Sequence, residues 1–296
     1  MSMRIGIDLG GTKTEGIVMD HAGAIVVRER RPTPAAQGYD AILANIAALV
    51  RDLEARAGGT CRVGVGTPGS ISTRTGLLKN SNTTCLNGKP FHPDLERLLA
   101  RPIRAENDAN CFALSEARDG AGRGHAVVFG VIMGTGVGGG VVVHGQLISG
   151  RQHIAGEWGH NVLEADGPPC YCGKRGCVET FLSGPGLTRD YAAHGGDPRD
   201  ASDIVALAAG GDARARAALD RYLDRFGRAL SVVVNILDPD VVVLGGGMSN
   251  IDALYTEGRA RLAKHVFNDE LRTEIARNQH GDSSGVLGAA QLWDPE

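Results

Sequence analysis

The chain has 296 residues, of which 42% are hydrophobic and 22% charged, and its formal net charge is −3. This length suits two lobes better than one small domain, because domains usually hold roughly 100–200 residues. The sequence has no long basic run, no apolar stretch of bilayer length and no signal peptide, so we expect a cytoplasmic protein without nucleic-acid or membrane partners.

Strands and one long helix are predicted in the first third of the chain. Residues 40–57 carry apolar side chains at helical spacing, which predicts an amphipathic helix. Residues 70–92 are rich in turn formers, which indicates a long functional loop. The predicted strands are residues 4–8, 17–19, 24–29 and 62–66, of which the first three should form a meander.

The remaining chain predicts a second set of strands and helices. Both halves open with a hairpin around a glycine turn, so we expect a duplicated architecture, although no repeat of fixed period occurs. Residues 145–185 are expected to be mostly loop. The predicted helices are residues 93–100, 108–117, 212–235 and 286–292, and the predicted strands are residues 103–106, 126–133, 140–144 and 241–244.

Three glycine runs follow predicted strands. Glycine lets backbone N–H groups approach a phosphate closely, although one such run is more often a simple hairpin. The first two runs fit neither the Walker A pattern nor a Rossmann unit, but three runs at strand ends favour phosphate binding over coincidence. The candidate phosphate-binding residues are Gly10, Gly11, Thr12, Lys13, Gly134, Thr135, Gly136, Gly138, Gly245, Gly246 and Gly247.

Two acidic segments are candidates for chemistry beside these glycine runs. Asp8 ends the first strand, where a carboxylate could bind Mg²⁺ together with phosphate or could cap the turn. The segment Glu106-Asn107-Asp108-Ala109-Asn110 joins a strand to a helix. Asp108 could accept a proton from a sugar hydroxyl, and Asn107 could bind one, but from this segment alone helix capping is the favoured interpretation.

A cysteine cluster predicts a structural zinc site. Cys170, Cys172 and Cys177 lie within eight residues, and three thiolates with one imidazole suit tetrahedral zinc. His160 is the expected fourth ligand, although His144 and His153 also precede the cluster. Four protein ligands leave no open position, so we assign this zinc no catalytic role.

These motifs together resemble the ROK family of repressors and sugar kinases. The resemblance rests on Asp8 to Lys13, Gly134 to Gly140, Glu157-Trp158-Gly159-His160 and Cys170 to Glu179. It implies an α/β, actin-like ATPase (ribonuclease H-like) fold of two lobes, with MgATP and sugar in the cleft between them. The lobes would be residues 1–118 and 119–296, with a terminal helix near 285–293 packing back on the first lobe.

The resemblance also implies individual roles. Asp108 corresponds to the catalytic base, and the first two glycine runs and Asp8 to the ATP and Mg²⁺ side. Gly245, Gly246 and Gly247 correspond to the adenosine side. The implied sugar-binding residues are Thr67, Pro68, Gly69, Asn80, Asn107, Asp108, Glu157, His160 and Glu179.

Within the family, segments such as Leu86 to Phe91 look closest to bacterial fructokinases, so fructose is the expected acceptor. N-acetylglucosamine is the alternative, because residues 107–117 are shared with that branch, and glucose or mannose is a further one. A repressor would need a DNA-binding domain before Gly10, and a sugar sensor without activity would be expected to lose Asp108. Family members are often dimers, so a homodimer is expected.

Overall fold

The computed structural model describes residues 3–294, which form two five-stranded sheets flanked by helices. The strands of the first half are β1 (Arg4–Leu9), β2 (Lys13–Met19), β3 (Ile25–Pro32), β4 (Arg62–Thr67), β5 (Ser70–Ile71), β6 (Leu78–Lys79) and β7 (Ile103–Asn107). Those of the second half are β8 (Val127–Met133), β9 (Val137–Val143), β10 (Gln146–Leu147), β11 (Val241–Gly245) and β12 (Glu274–Arg277).

The helices are distributed over both halves of the chain. They are α1 (Tyr39–Ala57), α2 (Phe91–Leu99), α3 (Asp108–Arg118), α4 (Glu179–Leu182), α5 (Gly184–Ala193), α6 (Ala201–Ala209), α7 (Ala213–Leu237), α8 (Glu257–Ala263) and α9 (Ser284–Gln291). Between residues 3 and 294, no helix combines the length and apolar character that a membrane crossing requires.

The two sheets have the same topology. The first has the order β3-β2-β1-β4-β7 and the second the order β10-β9-β8-β11-β12. In each, an antiparallel meander of three strands is extended by two parallel strands. The predicted duplication and the actin-like two-lobe architecture are therefore confirmed, although no repeat is visible in the sequence.

Each sheet has its own apolar core. Helix α1 packs Ile42, Ile46 and Leu49 against the first sheet, as its helical spacing predicted. It ends at Gly58, whose left-handed backbone glycine adopts readily. Around the second sheet, the 25-residue helix α7 buries Tyr222, Phe226 and nine further residues.

Helices α3 and α9 connect the two halves by packing against each other and on both sheets. Helix α9 lies on β1 and β4, where a Cβ atom on Gly6 would be 2.1 Å from the Val286 carbonyl oxygen. Helix α3 lies on β8 and β9, where a Cβ atom on Gly130 would be 2.6 Å from the Ala113 Cβ. We propose a division of the chain into two lobes, residues 1–118 and 119–296. The division follows the order of the sequence rather than the packing, because α3 and α9 each contact the sheet of the other lobe. The terminal residues of both lobes, 1–2 and 295–296, lie outside the described range.

The structure corrects several sequence predictions. The segment 70–92 is not entirely loop, because β5 and β6 pair within it and α2 begins at its end. Strand β9 begins at Val137 rather than Gly140, since a run of glycines has no apolar alternation that would reveal a strand. The sequence pattern did not predict α4, α5, α6, α8 and β12, all of which are short elements in the second half.

Candidate functional site

A pocket of about 280 Å³ lies between the two sheets and is lined from both halves of the chain. Most of the residues assigned to the sugar and to the second glycine run meet there, although they come from distant parts of the sequence. The predicted residues in its lining are Pro68, Gly69, Asn80, Asn107, Asp108, Gly134, Thr135, Gly136, Gly138, Glu157, His160 and Glu179. Asn82 and Tyr171 also line it, although neither was predicted to be a site residue.

Asp108 is held at the pocket by the start of α3. Asn107 is the N-cap of this helix, and its Oδ1 accepts a hydrogen bond from the Ala109 N–H at 2.9 Å. The Asp108 Oδ1 accepts from the same N–H at 2.8 Å. The capping role and the catalytic role are therefore compatible, because the cap fixes the backbone that presents Asp108. The pKa of Asp108 is raised to about 6, because burial and the Glu157 carboxylate together outweigh the hydrogen bonds that lower it.

A strained loop forms the wall beside Asn107. Gly69 has φ +87°, and a Cβ atom there would lie 2.4 Å from the Lys79 carbonyl oxygen, so only glycine fits. Asn80 also has a left-handed backbone, with φ 61°, which is unusual for a residue other than glycine. Asn107 Nδ2 donates to the Gly69 carbonyl oxygen at 3.2 Å, so its amide group ties this loop to α3.

Asp8 is not part of the pocket lining and lies between β4 and the start of α9. A Cβ atom on Gly285 would be 3.1 Å from Asp8 Oδ2, and one on Gly66 would be 3.7 Å from Oδ1. The pKa of Asp8 is raised to about 7, chiefly by burial and in addition by the charges of Asp108 and Glu15. A bound cation would favour the ionised form of this carboxylate.

Glu157, His160, Tyr171 and Glu179 also line the pocket. Glu179 begins α4, and its Oε2 accepts a hydrogen bond from the Val137 N–H at 3.0 Å, which joins this helix to the middle of the glycine run Gly134–Gly140. Burial raises the pKa of Glu157. His160 Nε2 and the Tyr171 hydroxyl are 3.0 Å apart, and the two rings meet edge to face.

His160 and three cysteines converge beside the pocket. One potential ligand atom from each of His160, Cys170, Cys172 and Cys177 lies within 4.8 Å of all the others. Cys170 Sγ is 3.6 Å from His160 Nδ1, and Cys172 Sγ is 3.6 Å from Cys177 Sγ. A zinc tetrahedron with bonds of about 2.3 Å has edges of about 3.8 Å, so the four residues fit a zinc ion. His144 and His153 are not part of this group.

A second cavity of about 1100 Å³ adjoins the pocket and shares Gly134 and Thr135 with it. Its walls are the first turn of α5, the face of α6 and the segment after β11. Gly247 lines it, and nothing lies within 4 Å of the position of a Cβ atom on this glycine. The other walls were not anticipated from the sequence, and the principal ones are Gly184, Pro185, Thr188, Val205, Met248 and Ile251.

Several assigned residues lie outside both linings. Thr67 is buried, and its hydroxyl donates a hydrogen bond to the Glu106 carbonyl oxygen at 3.3 Å. Its side chain is not part of the pocket lining. Gly245 packs against the Phe112 ring, and Gly246 packs against the Met133 backbone. Gly138, by contrast, lines the pocket. A side chain at this position would be crowded, because its Cβ atom would lie 3.0 Å from the Ala109 Cβ.

The first glycine run forms a tight turn between β1 and β2. Gly10 N–H donates to the Lys13 carbonyl oxygen at 2.9 Å. Gly11, Thr12 and Lys13 are exposed at its tip, outside the linings of the two cavities. Lobe closure is the motion that would bring such a turn towards a nucleotide.

The chain is similar to known sugar kinases over almost its full length. A sequence model of the ROK family matches residues 4–296. N-acetyl-D-glucosamine kinase from Escherichia coli (strain K12 / DH10B) is 41% identical over 300 residues, which cover 98% of this chain and 99% of that protein.

Two solved structures have the same fold. The ROK hexokinase from Thermus thermophilus superposes with a TM-score of 0.87 and 32% identity, covering 97% of this chain and 96% of that one. A ROK family glucokinase from Streptomyces griseus, solved with glucose and AMPPNP, has a TM-score of 0.79 and 28% identity, covering 98% of both chains.

Proposed function

The chain belongs to the ROK family, and on that premise we propose that this ATP-dependent sugar kinase phosphorylates the 6-hydroxyl of N-acetylglucosamine. The observation that carries the proposal is the placement of Asp108. Asp108 is the first residue of α3 and lines a pocket of sugar size. The glycine run Gly134–Gly136 lines the same pocket.

Asp108 acts as the general base of the transfer. Its pKa of about 6 leaves it ionised at neutral pH yet basic enough to accept a proton. The sugar 6-hydroxyl loses its proton to Asp108 as its oxygen attacks the γ-phosphorus, and the bond to the β,γ-bridging oxygen breaks to release ADP. Asn107 orients a neighbouring hydroxyl, and closure of the two lobes excludes water, which would otherwise compete as acceptor.

ATP is assigned to the second cavity and the adjoining glycine run. The adenosine lies between α5, α6 and Gly247, because this cavity is large, mostly apolar and continuous with the sugar pocket through Gly134 and Thr135. Backbone N–H groups of Gly134–Gly136 approach the phosphates. The exposed turn Gly10–Lys13 supplies a hydroxyl and a positive charge when the lobes close.

Two metal ions complete the assignment. Asp8 would hold Mg²⁺, directly or through water, and this ion offsets the negative charge of the phosphates when bound. His160, Cys170, Cys172 and Cys177 would hold the structural zinc, and their mutual distances support this. The zinc would fix the His160 ring and the Tyr171 loop at the sugar pocket.

The sequence reading placed fructose first, and the comparisons favour the alternative instead. The relative that is 41% identical over 98% of the chain is an N-acetylglucosamine kinase, whereas the fructokinase-like segments are short. Glucose is the ligand in one structure of the same fold, so glucose, mannose and fructose remain the competing acceptors.

We also propose a homodimer. An apolar groove of about 950 Å³ lies beside the zinc loop and the end of α7, and Val232 and Ile236 are 45% and 82% exposed there. Exposed apolar patches of this kind are typical of association surfaces. Light scattering should give about twice the 30.9 kDa mass of one chain, and a mass of one chain would contradict the dimer.

The decisive experiment is an ADP-release assay with MgATP and N-acetylglucosamine, glucose, mannose and fructose in parallel. We expect the highest kcat/KM for N-acetylglucosamine. A higher value for another of these sugars would keep the kinase chemistry and replace the acceptor. No turnover of any sugar by zinc-loaded protein would favour a sugar sensor without catalytic activity.

A further inference from the structure

Thr33 directly follows β3 and contacts the turn between β1 and β2 that contains the first glycine run. Its side chain is buried. Its hydroxyl donates a hydrogen bond to the Gly10 carbonyl oxygen at 2.7 Å, and its backbone N–H donates to the Thr12 carbonyl oxygen at 2.9 Å. One buried residue from outside the turn therefore holds two of the carbonyl groups of Gly10–Lys13.

The direction of these hydrogen bonds follows from the groups that form them. A carbonyl oxygen only accepts, so the single hydroxyl proton of Thr33 is used for Gly10. The Thr14 hydroxyl oxygen lies 2.8 Å from the Thr33 hydroxyl oxygen, and Thr14 is therefore the donor of that bond. Both side chains are buried, which limits the access of water to this chain of hydrogen bonds.

The hydrogen bond to Gly10 sets the direction of the next N–H group. The peptide between Gly10 and Gly11 is trans, so its C=O and N–H groups point in opposite directions. Because the Gly10 carbonyl faces Thr33, the Gly11 N–H faces away from it. Within residues 3–294, neither the Gly11 N–H nor the Thr12 N–H has a hydrogen-bond acceptor. Adjacent N–H groups that are free at exposed residues form the kind of concavity that binds anions.

The turn borders the loop that contributes to the sugar pocket. A Cβ atom on Gly11 would lie 3.5 Å from Thr83 Oγ1. The residue before Thr83 is Asn82, which lines the pocket together with Asp108. Lys13, at the end of the same turn, adds a positive charge that favours an anion. The free N–H groups are therefore close to the pocket in which the phosphoryl acceptor is proposed to bind.

We propose, on the basis of the function proposed above, that Thr33 is a positioning residue whose hydroxyl orients the Gly10–Gly11 peptide so that the Gly11 N–H donates a hydrogen bond to a phosphate of ATP. Thr33 itself contacts neither the nucleotide nor the reacting atoms. Without this hydroxyl the peptide can rotate, because glycine on both sides restricts the backbone little. ATP binding would then include the cost of ordering the turn.

The test compares Thr33→Val, which removes the hydroxyl and keeps the shape of the side chain, with Thr33→Ser, which keeps the hydroxyl. Calorimetry measures the binding of AMPPNP, a non-hydrolysable ATP analogue, and of adenosine, which has no phosphate. We expect the Kd of AMPPNP to rise about 5- to 20-fold in Thr33→Val, because a hydrogen bond to a charged group is weakened or lost. The Kd of adenosine should stay the same, and Thr33→Ser should bind both ligands as the wild type does.

Thr14→Val is the matched control. It removes a buried hydrogen bond of the same chain but leaves Thr33 able to donate to Gly10. This variant should lower the urea midpoint and leave the Kd of AMPPNP unchanged. An equal rise in that Kd for both valine variants would overturn the proposal, because Thr33 would then act only through stability. A parallel rise for AMPPNP and adenosine in Thr33→Val would overturn it as well.

Amide NMR of the wild type tests the inference even if Thr33→Val does not fold. The Gly11 N–H signal should shift when AMPPNP is added and stay in place with adenosine, and a signal that AMPPNP leaves unmoved would overturn the proposal. These binding measurements also separate the inference from the proposed function. If the wild type binds AMPPNP but phosphorylates none of the four sugars, the kinase proposal fails, whereas the Kd ratios still decide the role of Thr33.

Discussion

Glu116 Oε1 accepts a hydrogen bond from Ser284 Oγ at 2.9 Å, which links the last turn of α3 to the first residue of α9. Glu116 is fully buried, and its carboxylate also accepts from the backbone N–H groups of Ala121, Gln279 and His280. A buried carboxylate with four donors is a strong structural link, since each bond to a charged acceptor stabilises more than a neutral one.

Glu116→Gln should therefore destabilise the protein. The amide places an NH₂ group against backbone N–H donors, so at least one buried donor loses its acceptor and the free energy of unfolding falls by about 2 kcal/mol. Urea unfolding measures this change. Glu257→Gln is the control, because Glu257 is 40% exposed and its ion pair with Arg216 should contribute less than about 1 kcal/mol. Equal effects of the two substitutions would contradict the linking role of Glu116.

Asp108→Asn should remove catalysis and spare sugar binding. Loss of a general base costs about 10²- to 10⁴-fold in kcat, while the amide keeps most of the shape of the site. Since the base must be ionised, and burial raises the pKa of Asp108 to about 6, wild-type kcat/KM should fall about tenfold per pH unit below pH 6. A variant with near-normal kcat, or a pH profile flat between pH 5 and 7, would show that another group accepts the proton.

Asp8→Asn should stabilise the nucleotide-free protein in a pH-dependent manner. The pKa of Asp8 rises from 3.8 to about 7 on folding, first through burial and then through the charge of Asp108. Below pH 4 both folded and unfolded states hold the proton, so the charge contributes no difference. Between pH 4 and 7 the unfolded state ionises first, so wild-type stability falls relative to the variant, and above pH 7 the difference is constant at no more than about 4 kcal/mol.

Urea midpoints of wild type and Asp8→Asn at pH 5, 6, 7 and 8 measure this trend. Asp166→Asn, at an exposed position, serves as the control and should show a difference that does not vary with pH. A stability difference between wild type and Asp8→Asn that does not grow from pH 5 to 7 would contradict the raised pKa. The same variant should lose Mg²⁺-dependent turnover, because the carboxylate proposed to hold the ion is gone.

Cys177→Ser should lower the zinc content from about one ion per chain to well below one. Cys177 is buried, and its sulfur is 3.6 Å from Cys172 Sγ, within the four-residue cluster. Metal analysis of the purified protein measures the change without reference to activity. Cys85→Ser is the matched control, because Cys85 lies outside the cluster and its Sγ is 3.9 Å from the Ala35 carbonyl oxygen. Equal zinc content in wild type and both variants would rule out this site.

Gly247→Leu should weaken ATP binding selectively. The position of a Cβ atom on Gly247 meets nothing within 4 Å, so the leucine side chain can enter the second cavity without disturbing the fold. We expect KM for ATP to rise about tenfold, with KM for the sugar nearly unchanged. Gly59→Leu is the control, since its Cβ position is equally open but lies in the turn after α1. A change in KM for the sugar alone would contradict the assignment of ATP to this cavity.

Much of the local structure could be predicted from the sequence. The apolar spacing of Ile42, Ile46 and Leu49 predicted helix α1, because a helix repeats every 3.6 residues whatever it packs against. The zinc cluster was equally readable, since Cys170, Cys172 and Cys177 lie so close in sequence that almost any loop brings them together. Only the choice of His160 over His144 and His153 depended on the resemblance and was supported by the geometry.

Other features depended on contacts between residues far apart in the chain, which local patterns do not encode. The equal order of the two sheets, the packing of α3 and α9 and the bond between Glu116 and Ser284 arise only when the chain folds. The cavity beside Gly247 is formed by α5, α6 and the segment after β11. By itself the sequence determined the family, because its motifs rest on residue type and spacing. The proposed metal ligands rest on the same kind of signal, whereas Asp108 was predicted to be the base only through the family resemblance. The tertiary structure decided which residues line one pocket, because that is set by long-range packing.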